Sequence, residues 1–477
     1  MNDAASESRE PDAVVAAAVA RARSAQKAWA QLGLRMRGRA LRALASRARQ
    51  DAELARLISA ETGKPLFEAI GFEVAYICEV TRFLSGRKGR RALAEDRRAS
   101  LIFPHKVARV AWHPRGVVTI IGPSNFPLLN NFGDAVAPLL AGNSVVLKPS
   151  PRTPGASRRM LALWRETGLP EGVFHVVEGG APTAMALVDA CDMVFFTGSV
   201  AVGREFAARA GQRLIPCVTE LGGKSAMIVL EDADVAAAAH AAVWGAFAGG
   251  GQVCIRVERA FVDGAVADAF VRRVVAETQA LRLDGDDRDV GALPLPAQSE
   301  RHRALVADAV ARGAVLLAGG APAADGRFPP TVLDHVPPDA EVAVQETFGP
   351  ILPIVRVTGA DEAVLLANAG TLGLSGSVWS RGRARQVARR LECGSVCAND
   401  VLVNYFFVSA PLGGIKASGL GFRHGPEALR QFCYPHTLVE DRVLARPLGD
   451  WIRRQLGFPY RAGVLKALRR LMGALYR

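Results

Sequence analysis

Val117-Val-Thr-Ile-Ile121-Gly-Pro-Ser-Asn125-Phe-Pro127 is an apolar, β-branched run that ends abruptly in a Gly-Pro turn. Similar short runs recur at 144–147, 173–177, 193–196 and 214–218, and segments 128–141, 154–166, 182–189 and 200–210 between them carry helical periodicity. Strands that are apolar on both sides, separated by helices, predict a parallel sheet covered on both faces. A second series begins at Ser225–Val229. It continues through helix 232–248, strand 257–262, helices 265–281 and 300–312, and strand 351–356, to about Ala398. Two α/β domains with a break near Gly222-Gly223 account for both series. Upstream, residues 12–95 read as several Ala-rich helices and 107–120 as β structure, with a turn at His113-Pro-Arg-Gly116; 318–326 reads as a surface loop. No internal repeat is visible.

Composition narrows the function classes. Of 477 residues half are hydrophobic, which excludes a disordered chain, and the 47 glycines follow no three-residue period, which excludes collagen. Lys and Arg number 59 against 46 Asp and Glu, a formal charge of +13. Nine Arg and Lys against two Asp lie from Asp441 to the C-terminus, so +7 of that charge is concentrated there. The seven cysteines, Cys78, Cys191, Cys217, Cys254, Cys393, Cys397 and Cys433, are odd in number and scattered, which points to reduced thiols and a cytoplasmic setting. Cys393 and Cys397 lack a second ligand pair nearby, so no metal site is expected. The polar start, Met1 to Asp12, has no signal-peptide core, and no apolar run is long enough to span a bilayer.

Ligands of open parallel sheets bind at the carboxyl ends of the strands; six segments, several of them at such ends, could carry chemistry. Phe247-Ala-Gly-Gly-Gly-Gln-Val-Cys254 offers a thiol, the most nucleophilic ordinary side chain, beside glycines that permit close approach. Thr219-Glu220-Leu-Gly-Gly-Lys-Ser225 places a carboxylate at a strand end, either a general base for water or a partner of Lys224. In Ile121-Gly-Pro123-Ser124-Asn125-Phe-Pro127, Asn125 is either an oxyanion donor or a turn former. Lys148, in Val146-Leu-Lys-Pro-Ser-Pro151, could meet a ribose hydroxyl or phosphate. Gly198-Ser199 through Gly203 opens a helix whose amides suit pyrophosphate, although G-x-G-x-x-G is absent. Gln345-Glu346-Thr-Phe348-Gly-Pro350 sets a carboxylate and a ring on a Gly-Pro turn.

In this order and spacing, and with Ala410-Pro-Leu-Gly-Gly-Ile-Lys-Ala-Ser-Gly-Leu-Gly421 following, the set resembles the aldehyde dehydrogenase superfamily from about residue 13 to about 436. The resemblance implies an α/β fold: a parallel-sheet, Rossmann-type NAD(P)-binding domain at 13–104 and 118–222, and an α/β catalytic domain at 223–421. It further implies a small β oligomerisation arm at 105–117 and 422–446. It implies that Cys254 attacks the aldehyde to give a thiohemiacetal, then a thioester. Asn125 and the Cys254 backbone N–H would hold the oxyanion, and Glu220 would activate the water that releases a carboxylic acid. Lys148 and Glu346 would hold the two riboses and Ser199 the pyrophosphate, with Gly198, Gly203, Pro123 and Ser124 completing the cofactor cradle and Phe348 flanking the nicotinamide. The cofactor would be NAD or NADP, and the assembly a homodimer or homotetramer.

Departures from the pattern refine these expectations. Many NAD-specific relatives carry Glu at the position of Pro151; without that carboxylate a 2′-phosphate is not repelled, and Arg152 could assist it, which leans towards NADP being accepted. Family members usually carry Asn at Gly250 and an apolar residue at Thr219. Val401-Leu-Val-Asn-Tyr-Phe-Phe-Val408, at the substrate entrance in relatives, favours an aliphatic or aromatic aldehyde. Arg256 either anchors the carboxylate of a semialdehyde or forms a surface salt bridge with Glu258. Residues 447–477 lie beyond the family pattern. Val464, Leu465, Leu468, Leu471, Met472, Leu475 and Tyr476 form one helical stripe, with Lys466, Arg469, Arg470 and Arg477 elsewhere on the helix and Trp451 and Phe458 before it. Such a tail suits an anionic membrane surface or packing on the enzyme itself. A basic nucleic-acid-binding protein is the non-enzyme alternative, but the tail lacks interleaved stacking residues and the catalytic groups would go unexplained, so no nucleic acid is expected.

Overall fold

The computed structural model describes residues 9–291, 296–323, 326–442 and 446–475. The chain divides into two units, Met1–Ala92 with Pro114–Phe432 and Leu93–His113 with Cys433–Arg477. The first holds two large sheets and a two-stranded antiparallel ribbon of Leu372–Gly373 with Ile415–Lys416. Its six-stranded sheet runs Gly419–Leu420, Cys217–Glu220, Met193–Thr197, Val117–Ile121, Ser144–Lys148, Phe174–Val176, and only the short Gly419–Leu420 edge is antiparallel to its neighbour. Strand Val117–Ile121 is central. The chain winds from it through Ser144–Lys148 to one edge, then returns on its other side through Met193–Thr197. That reversal is the topological switch point at which α/β sheets bind ligands.

The seven-stranded sheet runs Val315–Ala318, Thr331–Asp334, Ile351–Val357, Arg259–Asp263, Ala226–Val229, Ser375–Trp379, Ser395–Ala398. Only its Val315–Ala318 edge is antiparallel. Every residue of Val117–Ile121, Ser144–Lys148, Met193–Thr197, Ala226–Val229 and Ser375–Trp379 is buried. This is the burial expected of largely apolar strands covered on both faces.

Two elements differ from the sequence expectation for local reasons. The fifth strand is Cys217–Glu220 rather than 214–218: Leu214 takes a positive φ of 55° and Pro216 has no N–H to give a ladder. Glu220 is therefore the last residue of the strand, not a residue after it. The helix expected from 128 begins only at Phe132, because the buried Glu73 carboxylate accepts the N–H groups of Leu128 (2.8 Å) and Leu129 (3.1 Å) and holds that stretch as a loop.

The second unit is a three-stranded sheet ordered Asp96–Ala99, Lys106–Pro114, Cys433–Asp441, tied by Lys106 to Asp441 at 2.7 Å, and it also carries helices Arg446–Leu456 and Ala462–Leu475. No described helix is long and apolar enough to cross a membrane.

Candidate active site

Helix Val235–Phe247 runs into three consecutive glycines, Gly249, Gly250 and Gly251, with φ of 59°, 62° and 74°. This left-handed run is open to glycine and strained for other residues. A Cβ on Gly251 would come within 2.3 Å of the Gly349 backbone, so the loop also needs glycine for space. The Glu68 carboxylate accepts the Gly249 N–H at 3.0 and 3.1 Å and fixes the turn. Gln252, Val253 and the partly exposed Cys254 follow.

Asn125 reaches this loop from the end of strand Val117–Ile121: its Nδ2 donates to Gln252 O at 2.7 Å. Its own backbone is held by Lys64, whose Nζ donates to Asn125 O at 2.8 Å, pairs with Glu73 at 2.6 Å and lies over the Phe126 ring. Thus a buried ion pair, Lys64–Glu73, shapes the loop that carries Asn125.

Glu220 enters from the next strand but one in the same sheet. Its carboxyl is buried, and Oε1 accepts no hydrogen bond among the described residues. Burial raises its pKa to about 8, opposed by the positive charge of Arg423, whose Nε stands 3.9 Å away. Burial likewise pushes the Cys254 thiol up to about 12; Arg423 again opposes the shift, while Glu220 adds to it. The late motif closes over this corner. Ser418 O accepts from Leu221 N at 2.9 Å, Ser418 Oγ donates to Gly222 O at 2.7 Å, and Thr219 Oγ1 accepts from Leu420 N at 3.0 Å. The hydroxyl of Thr219, where the family pattern has an apolar residue, thereby gains a structural use.

Lys148, Gly198 and Ser199 stand at the carboxyl ends of the two strands flanking Val117–Ile121, with Pro123 and Ser124 in the loop between. Among the described residues the buried Lys148 ammonium donates only to Pro149 O at 3.2 Å, and burial lowers its pKa. Ser199 caps the 13-residue helix Val200–Gln212 and is exposed. Gly198 and Gly203 are needed for packing, since a Cβ on either would fall 2.4 Å from Phe196 or Leu221. Glu346 accepts the Gly223 N–H at 3.0 Å, and burial raises its pKa to about 7.

Glu346 and Phe348 are positioned by residues that sequence reasoning placed differently. Glu258 is buried, and burial opposed chiefly by Arg256 and Lys224 leaves its carboxyl far below the usual range. It pairs with Lys224 at 2.6 Å and Arg256 at 2.7 Å and accepts the N–H groups of Thr347 (3.0 Å) and Phe348 (3.1 Å). That hold sustains Phe348 at φ 49°, a backbone conformation rare for an aromatic residue. The expected partnership of Arg256 with Glu258 is present. However, Arg256 is wholly buried rather than at the surface, and its remaining donors go to Val257 O, Ile351 O and Thr347 Oγ1.

On the other side of Cys254 lies a narrow pocket lined by apolar and aromatic residues, among them Phe72, Phe126, Trp244, Leu402, Tyr405 and Phe406. The 401–408 segment supplies the last three. Behind Tyr405 stands Arg423, which no sequence motif flagged. Its guanidinium bonds Asn130 Oδ1 (2.6 Å), Thr197 Oγ1 (3.1 Å) and the Tyr405 hydroxyl, and lies 3.4 Å from Asp134.

A family model described as "Aldehyde dehydrogenase family" matches residues 4–438. The chain belongs to the aldehyde dehydrogenase family. It is 37% identical to a Mycolicibacterium smegmatis protein provisionally named succinate-semialdehyde dehydrogenase NADP(+), over 90% of this chain and 85% of that one. It is 35% identical to the 4,4'-diapolycopene aldehyde oxidase of Methylomonas sp, over 89% and 79%. The crystal structure of an NAD-dependent aldehyde dehydrogenase from Sinorhizobium meliloti matches with a TM-score of 0.86 at 35% identity, covering 90% and 87%. The α/β fold and the enzyme class implied by the sequence resemblance are thereby shown, and oxidation of an aldehyde is the reaction of this dehydrogenase.

Proposed function

We propose that Cys254, Asn125 and Glu220 oxidise a hydrophobic aliphatic or aromatic aldehyde to its carboxylic acid, with NAD or NADP as acceptor. The Cys254 thiol releases its proton to solvent as Sγ forms a C–S bond to the carbonyl carbon, and the carbonyl electron pair moves to oxygen. Asn125 Nδ2 and the Cys254 N–H would receive that oxyanion, as preorganised donors do in acyl transfer. Loss of hydride from the same carbon leaves a thioester on Sγ. Glu220 then takes a proton from water, the hydroxide adds, and the C–S bond breaks to return the thiol. The observation that supports this reading best is the Asn125 Nδ2–Gln252 O bond of 2.7 Å, which holds the amide on the loop of Cys254 while Glu220 keeps an unbonded Oε1 nearby in charge range.

A nicotinamide dinucleotide, when bound, supplies the hydride acceptor. The residues present fit it. Among the described residues Lys148 has two N–H donors beyond its bond to Pro149 O and suits ribose hydroxyls, Glu346 offers a carboxylate for the other ribose, and the Ser199-capped helix N-terminus suits pyrophosphate. Gly198 and Gly203 keep the helix close to its sheet, Pro123 and Ser124 form the turn beside it, and Phe348 stands on the glycine loop's side. Pro151 and Arg152 are exposed and present no carboxylate, which supports NADP as an accepted cofactor, as does the name of the Mycolicibacterium relative.

The aromatic lining supports a hydrophobic substrate, as does the name of the Methylomonas relative. A semialdehyde bearing a carboxylate is the second reading, favoured by the Mycolicibacterium name. An aldehyde panel scored by NADH and NADPH formation, with Cys254→Ala as control, separates them. Higher kcat/KM for long-chain or aromatic aldehydes supports the first, and higher kcat/KM for succinic semialdehyde supports the second. We further assign 13–104 and 118–222 to cofactor binding, 223–421 to catalysis, and 105–117 with 422–446 to the interface of a cytoplasmic homodimer or homotetramer, checked by sedimentation velocity.

A further inference from the structure

The two C-terminal helices take no part in the proposed catalysis, yet their described residues expose a large apolar surface. Helix Arg446–Leu456 gathers Leu448, Trp451, Ile452 and Leu456 on one face at helical spacing, and helix Ala462–Leu475 gathers Val464, Leu465, Leu468, Leu471 and Met472 on another. Trp451, Phe458 and Tyr460 are 59%, 86% and 77% exposed, and Leu465 and Met472 are more than half exposed. Such surface is unfavourable in water at roughly 25 cal/mol per Å² and marks a contact that is made elsewhere.

The charge decides which contact. Between Arg446 and Leu475 stand seven Arg and Lys against the single Asp450. On helix Ala462–Leu475, Lys466 and Arg470 fall on the side away from the apolar stripe and Arg469 at its edge. The same two helices of a second copy, themselves carrying seven Arg and Lys against one Asp, would bring like charge against like. Nucleic acid would leave the aliphatic stripe unused. An anionic bilayer answers both features: the aliphatic and aromatic side chains enter the headgroup boundary, and the long basic side chains reach the phosphates.

We propose that helices Arg446–Leu456 and Ala462–Leu475 dock this enzyme on the surface of an anionic phospholipid bilayer, lying in the interface plane. The inference does not rest on the substrate reading. The test is co-sedimentation of the full chain with vesicles of phosphatidylglycerol and phosphatidylcholine, or of phosphatidylcholine alone. Two variants accompany it, Leu465→Asp/Leu468→Asp/Met472→Asp and Lys466→Glu/Arg469→Glu/Arg470→Glu. The full chain is expected to pellet with the anionic vesicles. At least about tenfold weaker partitioning is expected on phosphatidylcholine, for either variant, and for the full chain in high salt. Turnover in solution and sedimentation coefficient should not change in the variants. The proposal is overturned if the full chain stays in the supernatant or if the variants pellet equally well. It is equally overturned if the substitutions change the oligomeric state, which would put another copy on the stripe, or abolish an RNA gel shift while vesicle binding persists.

Discussion

Arg423 Nε stands 3.9 Å from Glu220 Oε1, and the other end of the same guanidinium lies 3.4 Å from Asp134. A buried cation thus sits between two buried carboxyls, both raised by burial, Glu220 to about 8 and Asp134 to about 7. The Arg423 charge opposes the rise in proton affinity of both the proposed base and the Cys254 thiol.

The pH dependence follows from the sign of that interaction. The base form of Glu220 is the deprotonated one, so kcat, where deacylation limits it, should rise with pH through about 8 and level off above. Removing the cation in Arg423→Gln leaves burial unopposed, so the rise should move to higher pH, and Arg423→Lys should restore part of it. A pH profile of kcat for the three proteins checks this; an unmoved profile in Arg423→Gln would remove Arg423 from the account.

Asn125→Ala should lower kcat by about 10²–10³ with little change in aldehyde KM, because the lost donor acts on charge that develops only during reaction. Steady-state kinetics decide it. A rise in KM at constant kcat would make Asn125 a binding residue instead.

Glu258→Gln strands Arg256 and Lys224 as buried cations without their anion, which should cost about 3–5 kcal/mol of stability. It also releases the Thr347 and Phe348 N–H groups, so KM for the nicotinamide cofactor should increase more than KM for the aldehyde. Chemical denaturation and the two KM values measure both effects.

Much of this site was legible in the sequence. Cys254, Asn125 and Glu220 sit on strand ends or glycine-rich loops, where backbone demands leave a residue pattern. Lys64, Glu73, Glu68 and Arg423 were not legible, because each acts across large sequence separation. Lys64 meets Asn125 and Arg423 meets Asn130 through the packed fold, with no local pattern to mark either. The Arg256–Glu258 pair was read correctly as a pair but placed at the surface, since spacing shows proximity and not depth. The strand shift to Cys217–Glu220 has the same origin: the apolar run Leu214-Ile-Pro-Cys-Val gives hydrophobicity, while Pro216 and the turn at Leu214 set where pairing starts.

At the cofactor site, Pro151→Glu should raise KM for NADP by about tenfold or more through repulsion of its 2′-phosphate and leave KM for NAD unchanged or lower. Arg152→Ala should raise KM for NADP alone. Equal effects on both cofactors would place neither residue near the 2′ position.

The central claim is that the acyl group is carried by Cys254 and released by Glu220. Intact-protein and peptide mass spectrometry of Glu220→Gln, quenched after mixing with NAD(P) and a long-chain aldehyde, tests it most directly. The account predicts a stoichiometric burst of reduced cofactor with slow turnover after it, and an acyl mass increment on Cys254 that is absent in Cys254→Ala. Full steady-state turnover by Glu220→Gln, or an increment on any of the other six cysteines, would contradict it.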